Sequence, residues 1–114
     1  GELFVPKIPS YKITDVANAI APESDQPIIG IRPGEKLHEE MITQSDSFNT
    51  YDLGEYYVIL PNSPLWNLAS FIEKFKAKKV PLGFSYTSND NEEWETVESL
   101  RELIREHVDR KFKV

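Results

Sequence analysis

The chain has 114 residues, of which 39% are hydrophobic and 28% are charged, and these values are typical of a globular protein with one hydrophobic core. Its net charge of −6 argues against nucleic acid as a partner, because that binding depends on neutralising phosphates with Lys and Arg. The absence of cysteine excludes disulfides and thiolate metal sites, and no apolar run approaches the roughly 20 residues that cross a bilayer. We therefore predict one soluble, cytoplasmic domain over residues 1–114 that binds neither nucleic acid nor membrane.

Short apolar runs alternate with turns in the first part of the chain. Residues 2–6 predict a strand that the following prolines end. Residues 13–20 carry apolar side chains at helical spacing, which predicts a helix packed on a sheet. Residues 28–31 predict a short apolar strand that leads into a Pro-Gly turn. Residues 36–43 alternate and predict another strand, with helix as the open alternative because Glu, Met and Leu favour it.

The second part predicts further strands and two helices. Residues 44–54 are polar and predict a loop, whereas residues 56–60 predict a strand that pairs with the strand before it. Residues 64–76 predict a helix with its apolar face on Leu65, Leu68, Ala69, Ile72 and Phe75. Residues 80–86 predict an extended segment, residues 87–93 a polar loop, and Thr96 the cap of a last helix. The whole order predicts an α+β fold with a small mixed sheet and about three helices.

The segment Arg32-Pro33-Gly34-Glu35 is the part of the chain that looks suited to a ligand. Pro at the first central position and Gly at the second predict a type II turn, whose corner residues have Cα atoms less than about 7 Å apart. The guanidinium of Arg32 could clamp a phosphate while the carboxylate of Glu35 accepts hydrogen bonds from hydroxyls. A nucleoside diphosphate presents both groups. The alternative is an exposed ion pair with no function.

A metal site is not predicted. His38 lies near Glu35, Glu39 and Glu40 in the sequence, but a strand would point His38 and Glu39 to opposite faces. The chain has no His-x-x-x-His pair, and its acidic loop lacks the spacing of a calcium site.

Several segments together resemble the C-terminal part of the inverting UDP-N-acetylglucosamine 4,6-dehydratases. These enzymes are extended short-chain dehydrogenase/reductases of bacterial capsule, O-antigen and flagellin-glycan biosynthesis. The resemblance rests on residues 1–10 (GELFVPKIPS), 12–17 (KITDVA) and 30–41 (GIRPGEKLHEEM). It continues through residues 49–54, 56–61, 83–88 and 93–97, so it covers most of the chain in order.

The resemblance implies a reaction that this chain does not perform alone. The intact enzyme would oxidise C4 of the hexose, eliminate water across C5 and C6, and return the hydride to C6, using NADP held in an N-terminal Rossmann half. The five glycines of the chain form no G-x-G-x-x-G, and no Tyr is followed four residues later by Lys. We therefore expect a substrate-binding lobe that lacks the Rossmann half, binds no cofactor itself and is inactive alone.

The resemblance also implies roles for individual residues. Arg32 matches the position that clamps the diphosphate, and Glu35 matches the position that holds the ribose hydroxyls. The other candidate substrate-binding residues are neighbours that shape or flank this turn: Pro33, Gly34, Lys36 and His38.

Two alternatives remain open from the sequence. The first is a non-catalytic assembly module that forms a homo-oligomer through an exposed aromatic surface around Trp66, Phe71 and Tyr86. The second is the corresponding lobe of another sugar-nucleotide epimerase or reductase, although the Lys36-Leu37-His38-Glu39 segment favours the dehydratases.

Overall fold

The structure is a computed structural model that describes all 114 residues, and its chain divides into two units. The sheet unit comprises Gly1–Ile8 and His38–Asp90. The helical unit comprises Pro9–Leu37 and Asn91–Val114. None of the chain's helices has the length and the apolar composition that a membrane span requires.

A four-stranded antiparallel sheet forms the centre of the sheet unit. Its strands are β1 (Leu3–Pro6), β3 (Thr50–Asp52), β4 (Tyr56–Ile59) and β5 (Lys78–Lys79), in the order β1-β4-β3-β5. The tight turn between β3 and β4 uses Gly54 at φ 97°, a conformation that L side chains rarely adopt. The side chain of Asp52 accepts the Gly54 N–H at 2.7 Å, which fixes this turn and the register of the hairpin.

A second, two-stranded antiparallel sheet, a short 3-10 helix and one α-helix complete the sheet unit. Strands β2 (Glu40–Ile42) and β6 (Tyr86–Thr87) form this sheet, and a short 3-10 helix covers Ser45–Asn49. Helix α2 spans Leu68–Phe75 and begins at Asn67, whose side chain accepts the Ser70 N–H. The hydrophobic core consists of Tyr51, Val58, Leu60, Phe71 and Ala77.

Two helices pack against each other in the helical unit. They are α1 (Ile13–Ile20) and α3 (Val97–His107). Thr96 and Ser99 form a reciprocal capping box at the start of α3, in which each side chain accepts the other residue's main-chain N–H. Arg101 of α3 donates to the carbonyls of Ala19 and Asn18, at 3.1 and 3.2 Å. These carbonyls lie in the last turn of α1, where main-chain acceptors lack helical partners.

Four predicted elements and the helix count are confirmed. The strands at residues 3–6 and 56–59 and the helices at 13–20 and 97–107 form where periodicity and capping residues place them. The prediction that α1 packs on a sheet is wrong, because α1 packs on α3. The predicted mixed sheet is also wrong: all strand pairs in both sheets are antiparallel, and the one parallel pairing is an isolated bridge between Ser10 and Trp94.

The predicted strand at residues 28–31 does not form. Ile28, Ile29 and Ile31 are 98%, 80% and 60% exposed. Gly30 has φ of 85°, outside the β region, and no other segment hydrogen-bonds to this run. An extended apolar run becomes a strand only when a neighbouring strand satisfies its main-chain groups, and none does so here. The turn after it therefore does not lie at the end of a strand.

Other predicted boundaries differ from those in the structure, because strand pairing and helix capping determine where an element begins and ends. Residues 44–54 are not a loop but contain the 3-10 helix and β3, whose Thr50 and Tyr51 are buried. Strand β4 pairs with β1 and β3, not with the strand predicted at 36–43, of which only Glu40–Ile42 forms as β2. The extended segment predicted at 80–86 is largely a turn between β5 and β6, and Thr87, placed in the polar loop, belongs to β6.

The helix predicted at 64–76 is shorter and buries a different face. It begins at Leu68, and Leu65 before it is 97% exposed, whereas Phe71 is buried. Phe71 packs between Trp66 and Phe75, with ring centroids 5.2 and 4.6 Å away. Tyr86 is half-buried, and its hydroxyl bonds to the main chain of Ile8. The exposed aromatic surface expected around Trp66, Phe71 and Tyr86 is therefore wrong, since Phe71 belongs to the core.

Candidate functional site

The predicted type II turn at Arg32–Glu35 is present in the helical unit. The Glu35 N–H donates to the Arg32 carbonyl at 3.0 Å, which closes the turn. Gly34 has φ of 85° at the second central position, the value that a type II turn requires there. A Cβ on Gly34 would meet nothing within 4 Å, so backbone conformation and not space favours glycine.

Arg32 and Glu35 are held together by two contacts across this turn. Oε1 of Glu35 lies 2.8 Å from Nε of Arg32, and Oε2 accepts the main-chain N–H of Arg32 at 2.7 Å. The Arg32 side chain is nonetheless 76% exposed. Because Glu35 contacts the Nε of the planar guanidinium, the two terminal nitrogens remain available to an oxyanion such as a phosphate. The sequence pattern gave no sign that Glu35 would also hold the Arg32 main chain.

The remaining candidate residues are exposed and distributed over both units. Pro33, Gly34 and Lys36 lie in the helical unit beside the ion pair, and His38 is the first residue of the sheet unit after the boundary at Leu37. Neither Lys36 nor His38 has a hydrogen bond or an ion pair. The structure therefore brings Arg32 and Glu35 together, whereas Lys36 and His38 take no part in this pair.

Other parts of the chain offer no stronger site. No group of three or more His, Asp or Glu side chains is arranged to hold a metal ion. An open depression over α2 is lined by Trp66, Phe71 and Phe75 with polar neighbours, and none of the predicted site residues contributes to it.

Comparison with known proteins defines the class of this chain. The profile of the polysaccharide biosynthesis protein family matches residues 1–61, and the chain belongs to that family. Among curated relatives, the inverting UDP-N-acetylglucosamine 4,6-dehydratase of Campylobacter jejuni is 46% identical over 91% of this chain and 32% of its own length. The UDP-glucose 4-epimerase of Rickettsia canadensis is 32% identical over 91% of the chain and 31% of its own length.

A solved structure supports the fold. The X-ray structure of Pen from Bacillus thuringiensis superposes with a TM-score of 0.70 at 29% identity, covering 93% of this chain and 31% of that protein. The chain thus spans about a third of the length of the curated relatives that it matches. The resemblance to the inverting dehydratases is confirmed by these matches.

Proposed function

We propose that this chain is the C-terminal, UDP-sugar-binding domain of an NADP-dependent, inverting UDP-N-acetylglucosamine 4,6-dehydratase that serves bacterial surface polysaccharide or glycan synthesis in the cytoplasm. The observation that carries the proposal is the 46% identity with the Campylobacter jejuni enzyme over 91% of the chain. The exposed Arg32–Glu35 turn supports it, because the turn presents an anion-binding group and a hydroxyl acceptor side by side.

The contacts of the turn suggest how it holds a nucleoside diphosphate. The terminal nitrogens of Arg32 would take the diphosphate in a bidentate contact, while Nε stays on Glu35. Oε2 of Glu35 accepts the main-chain N–H of Arg32 and Oε1 forms the ion pair with its Nε, and each oxygen has a further lone pair for a ribose hydroxyl. Arg32 and Glu35 can therefore act together without breaking their own contact.

This proposal assigns the hexose chemistry and NADP to another part of the enzyme. A Gly-rich turn that opens a helix is the usual cradle for the pyrophosphate of a dinucleotide. The three helices of this chain instead begin after Lys12, Asn67 and Thr96, so its residues do not fit that cradle. The chain alone is accordingly proposed to bind the UDP end and to catalyse no step.

Steady-state kinetics of the full-length polypeptide test the role of Arg32. Arg32→Ala should raise KM for UDP-N-acetylglucosamine roughly ten- to hundredfold, because a hydrogen bond to a charged group contributes about 1.5–3 kcal/mol. Arg105→Ala, an exposed arginine on α3 without a partner, is the matched control and should leave KM unchanged. An unchanged KM in Arg32→Ala would show that Arg32 does not clamp the diphosphate.

A substrate analogue tests Glu35 separately. The wild-type enzyme should prefer the UDP-sugar over its 2′-deoxyuridine analogue, because the analogue lacks one hydroxyl that Glu35 would accept. Glu35→Ala should narrow that preference. If the preference stays the same, Glu35 does not contact the 2′-hydroxyl.

The epimerase relative favours a second candidate function. The 32% identity with the Rickettsia canadensis UDP-glucose 4-epimerase covers the same share of the chain as the dehydratase match, so this fold could equally hold a UDP-sugar during epimerisation. Mass spectrometry of the product distinguishes the two. A dehydratase gives a sugar nucleotide lighter by one water, whereas a 4-epimerase gives a product of unchanged mass.

A further inference from the structure

Residues 27–31 (PIIGI), here called the apolar strap, have neither side-chain nor main-chain partners. Ile28, Ile29 and Ile31 are 98%, 80% and 60% exposed, and Leu37 just beyond the turn is 84% exposed. No main-chain group of the strap takes part in a hydrogen bond. Each isoleucine is β-branched, a type that packs well on a pleated sheet. The strap therefore has the composition of a buried strand without a neighbour.

Such a segment is unfavourable in water on two counts. Proteins that act as monomers rarely expose several large apolar side chains in one stretch. Unpaired main-chain groups beside apolar side chains are also a template for the addition of another strand. The glycine at position 30, with φ of 85°, does not prevent this, since glycine in that conformation is found in β-bulges.

We propose that the apolar strap is an internal docking surface, covered by an extended segment of the same polypeptide that lies outside these 114 residues and pairs with the strap as a β-strand. This inference rests on the proposed function, in which the chain is one part of a longer enzyme. The chain matches only 32% of the length of the Campylobacter jejuni dehydratase, so roughly two thirds of such a polypeptide is available to supply the partner.

A second copy of this chain suits the strap less well. Each copy carries a net charge of −6, so two copies repel one another. A different segment of the polypeptide has no such restriction.

Because the strap lies next to the Arg32–Glu35 turn in the chain, docking of the strap would also affect this turn. The strap runs directly into Arg32, so a partner strand that fixes residues 28–31 also fixes the start of the Arg32–Glu35 turn. Docking would thus preorganise the anion-binding group and lower the entropic cost of binding a diphosphate. The isolated chain, by comparison, would hold the same two residues on a segment free to move.

Hydrogen exchange measured by mass spectrometry tests the proposal. The main-chain amides of residues 28–31 should exchange at least about tenfold more slowly in the full-length polypeptide, without UDP-sugar, than in the 114-residue chain. Equal rates in the two would overturn the proposal. Slow exchange that appears in the 114-residue chain only at high concentration would also overturn it, because a second copy would then be the partner.

Two variants and a matched control identify the surface. Ile28→Asp and Ile29→Asp in the full-length polypeptide should restore fast exchange in the strap. Leu65→Asp places the same charge at a residue that is 97% exposed but lies in the sheet unit, and it should not change exchange in the strap. An equal effect of Leu65→Asp would mean that the strap is not the docking surface.

The hydrogen-exchange experiment and a UDP-binding measurement test the docking surface and the proposed function separately. Slow exchange in the strap of a full-length protein that does not bind UDP would reject the UDP site and leave the docking surface standing. UDP binding with equally fast exchange in both forms would reject the docking surface alone.

Discussion

Glu35 holds Arg32 through both of its carboxylate oxygens, one on the side-chain Nε at 2.8 Å and one on the main-chain N–H at 2.7 Å. An ion pair this exposed adds at most about 1 kcal/mol to stability, so its stabilising effect alone gives little reason for its presence. Its geometry matters more, because it directs the terminal nitrogens of the guanidinium away from Glu35. Arg32 and Glu35 thus form the exposed ion pair that the sequence allowed. The same contact still leaves the terminal nitrogens of Arg32 free to bind a ligand.

Gly34→Ala should impair the turn more than it destabilises the protein. A φ of 85° is strained for alanine, and the exposed turn can relax by leaving the type II conformation, which would separate Glu35 from the Arg32 main chain. We expect KM for the UDP-sugar to rise while Tm stays nearly constant. Gly34→Asn is the control, because asparagine tolerates positive φ and should raise KM less. A large fall in Tm with unchanged KM would contradict this account of Gly34.

Thr96→Ala should lower the free energy of unfolding by about 1 kcal/mol, the usual effect of losing an N-cap. The Thr96 hydroxyl accepts the Ser99 N–H at 3.2 Å, and alanine cannot replace that acceptor. Thr96→Ser keeps a hydroxyl and should retain most of the stability. Chemical denaturation measures both variants, and equal losses in the two would show that the hydroxyl does not stabilise α3.

Arg101→Met should lower the free energy of unfolding by roughly 1–3 kcal/mol, because it leaves the carbonyls of Asn18 and Ala19 without their donor. Methionine keeps much of the apolar stem and removes the guanidinium. Arg105→Met on the same helix is the matched control, since the Arg105 side chain has no partner. If the two variants unfold at the same denaturant concentration, Arg101 does not join α3 to α1.

Asp52 should make the free energy of unfolding depend on pH in the acidic range. Burial raises the pKa of Asp52, but the hydrogen bonds from Lys7 and Gly54 and the charges of Lys7 and Lys78 outweigh it, so the pKa lies below 3.8. A carboxylate with a lowered pKa in the folded state stabilises the protein above its unfolded pKa, and that contribution is lost as pH falls through the folded pKa. The stability advantage over Asp52→Asn should therefore be present near neutral pH and disappear below about pH 4.

The same acid dependence should weaken when Lys7 is replaced, because the Gly54 hydrogen bond and the Lys78 charge remain. Lys7→Met removes the Nζ that lies 2.8 Å from Oδ1 of Asp52, and with it one cause of the lowered pKa. Denaturation curves between pH 2.5 and 7 measure the effect, which should be below about 1 kcal/mol because the pair is partly exposed. A stability advantage that persists unchanged to pH 2.5 would contradict the assignment to Asp52.

How much of the fold could be predicted depends on where each element obtains its partners. Helix α3 was predictable because Thr96 and the apolar stripe act within one segment. Strand β3 was not, because Thr50 and Tyr51 lie in a polar stretch and only pairing with β4 and β5 makes them a strand. The prediction for residues 28–31 was wrong for the opposite reason. Their local pattern is that of a strand, but the chain supplies no neighbouring strand to pair with them.

Only the local geometry of the candidate site could be predicted from the sequence. Pro33 and Gly34 fix a turn by their own backbone preferences, so the approach of Arg32 to Glu35 followed from the sequence. The location of that turn depended on a strand that does not form, and the sequence therefore gave no reliable expectation of what surrounds it. No contact of Lys36 or His38 supports their inclusion, and their binding roles remain predictions.

Calorimetric titration of UDP into the full-length polypeptide, its Arg32→Ala variant and the isolated 114-residue chain tests the central claim most directly. The full-length wild type should bind UDP, Arg32→Ala should bind it roughly tenfold or more weakly, and the isolated chain should bind it very weakly or undetectably, because the chain supplies only part of the contacts. Equal affinity of the wild type and Arg32→Ala would contradict the proposal that this turn holds the diphosphate.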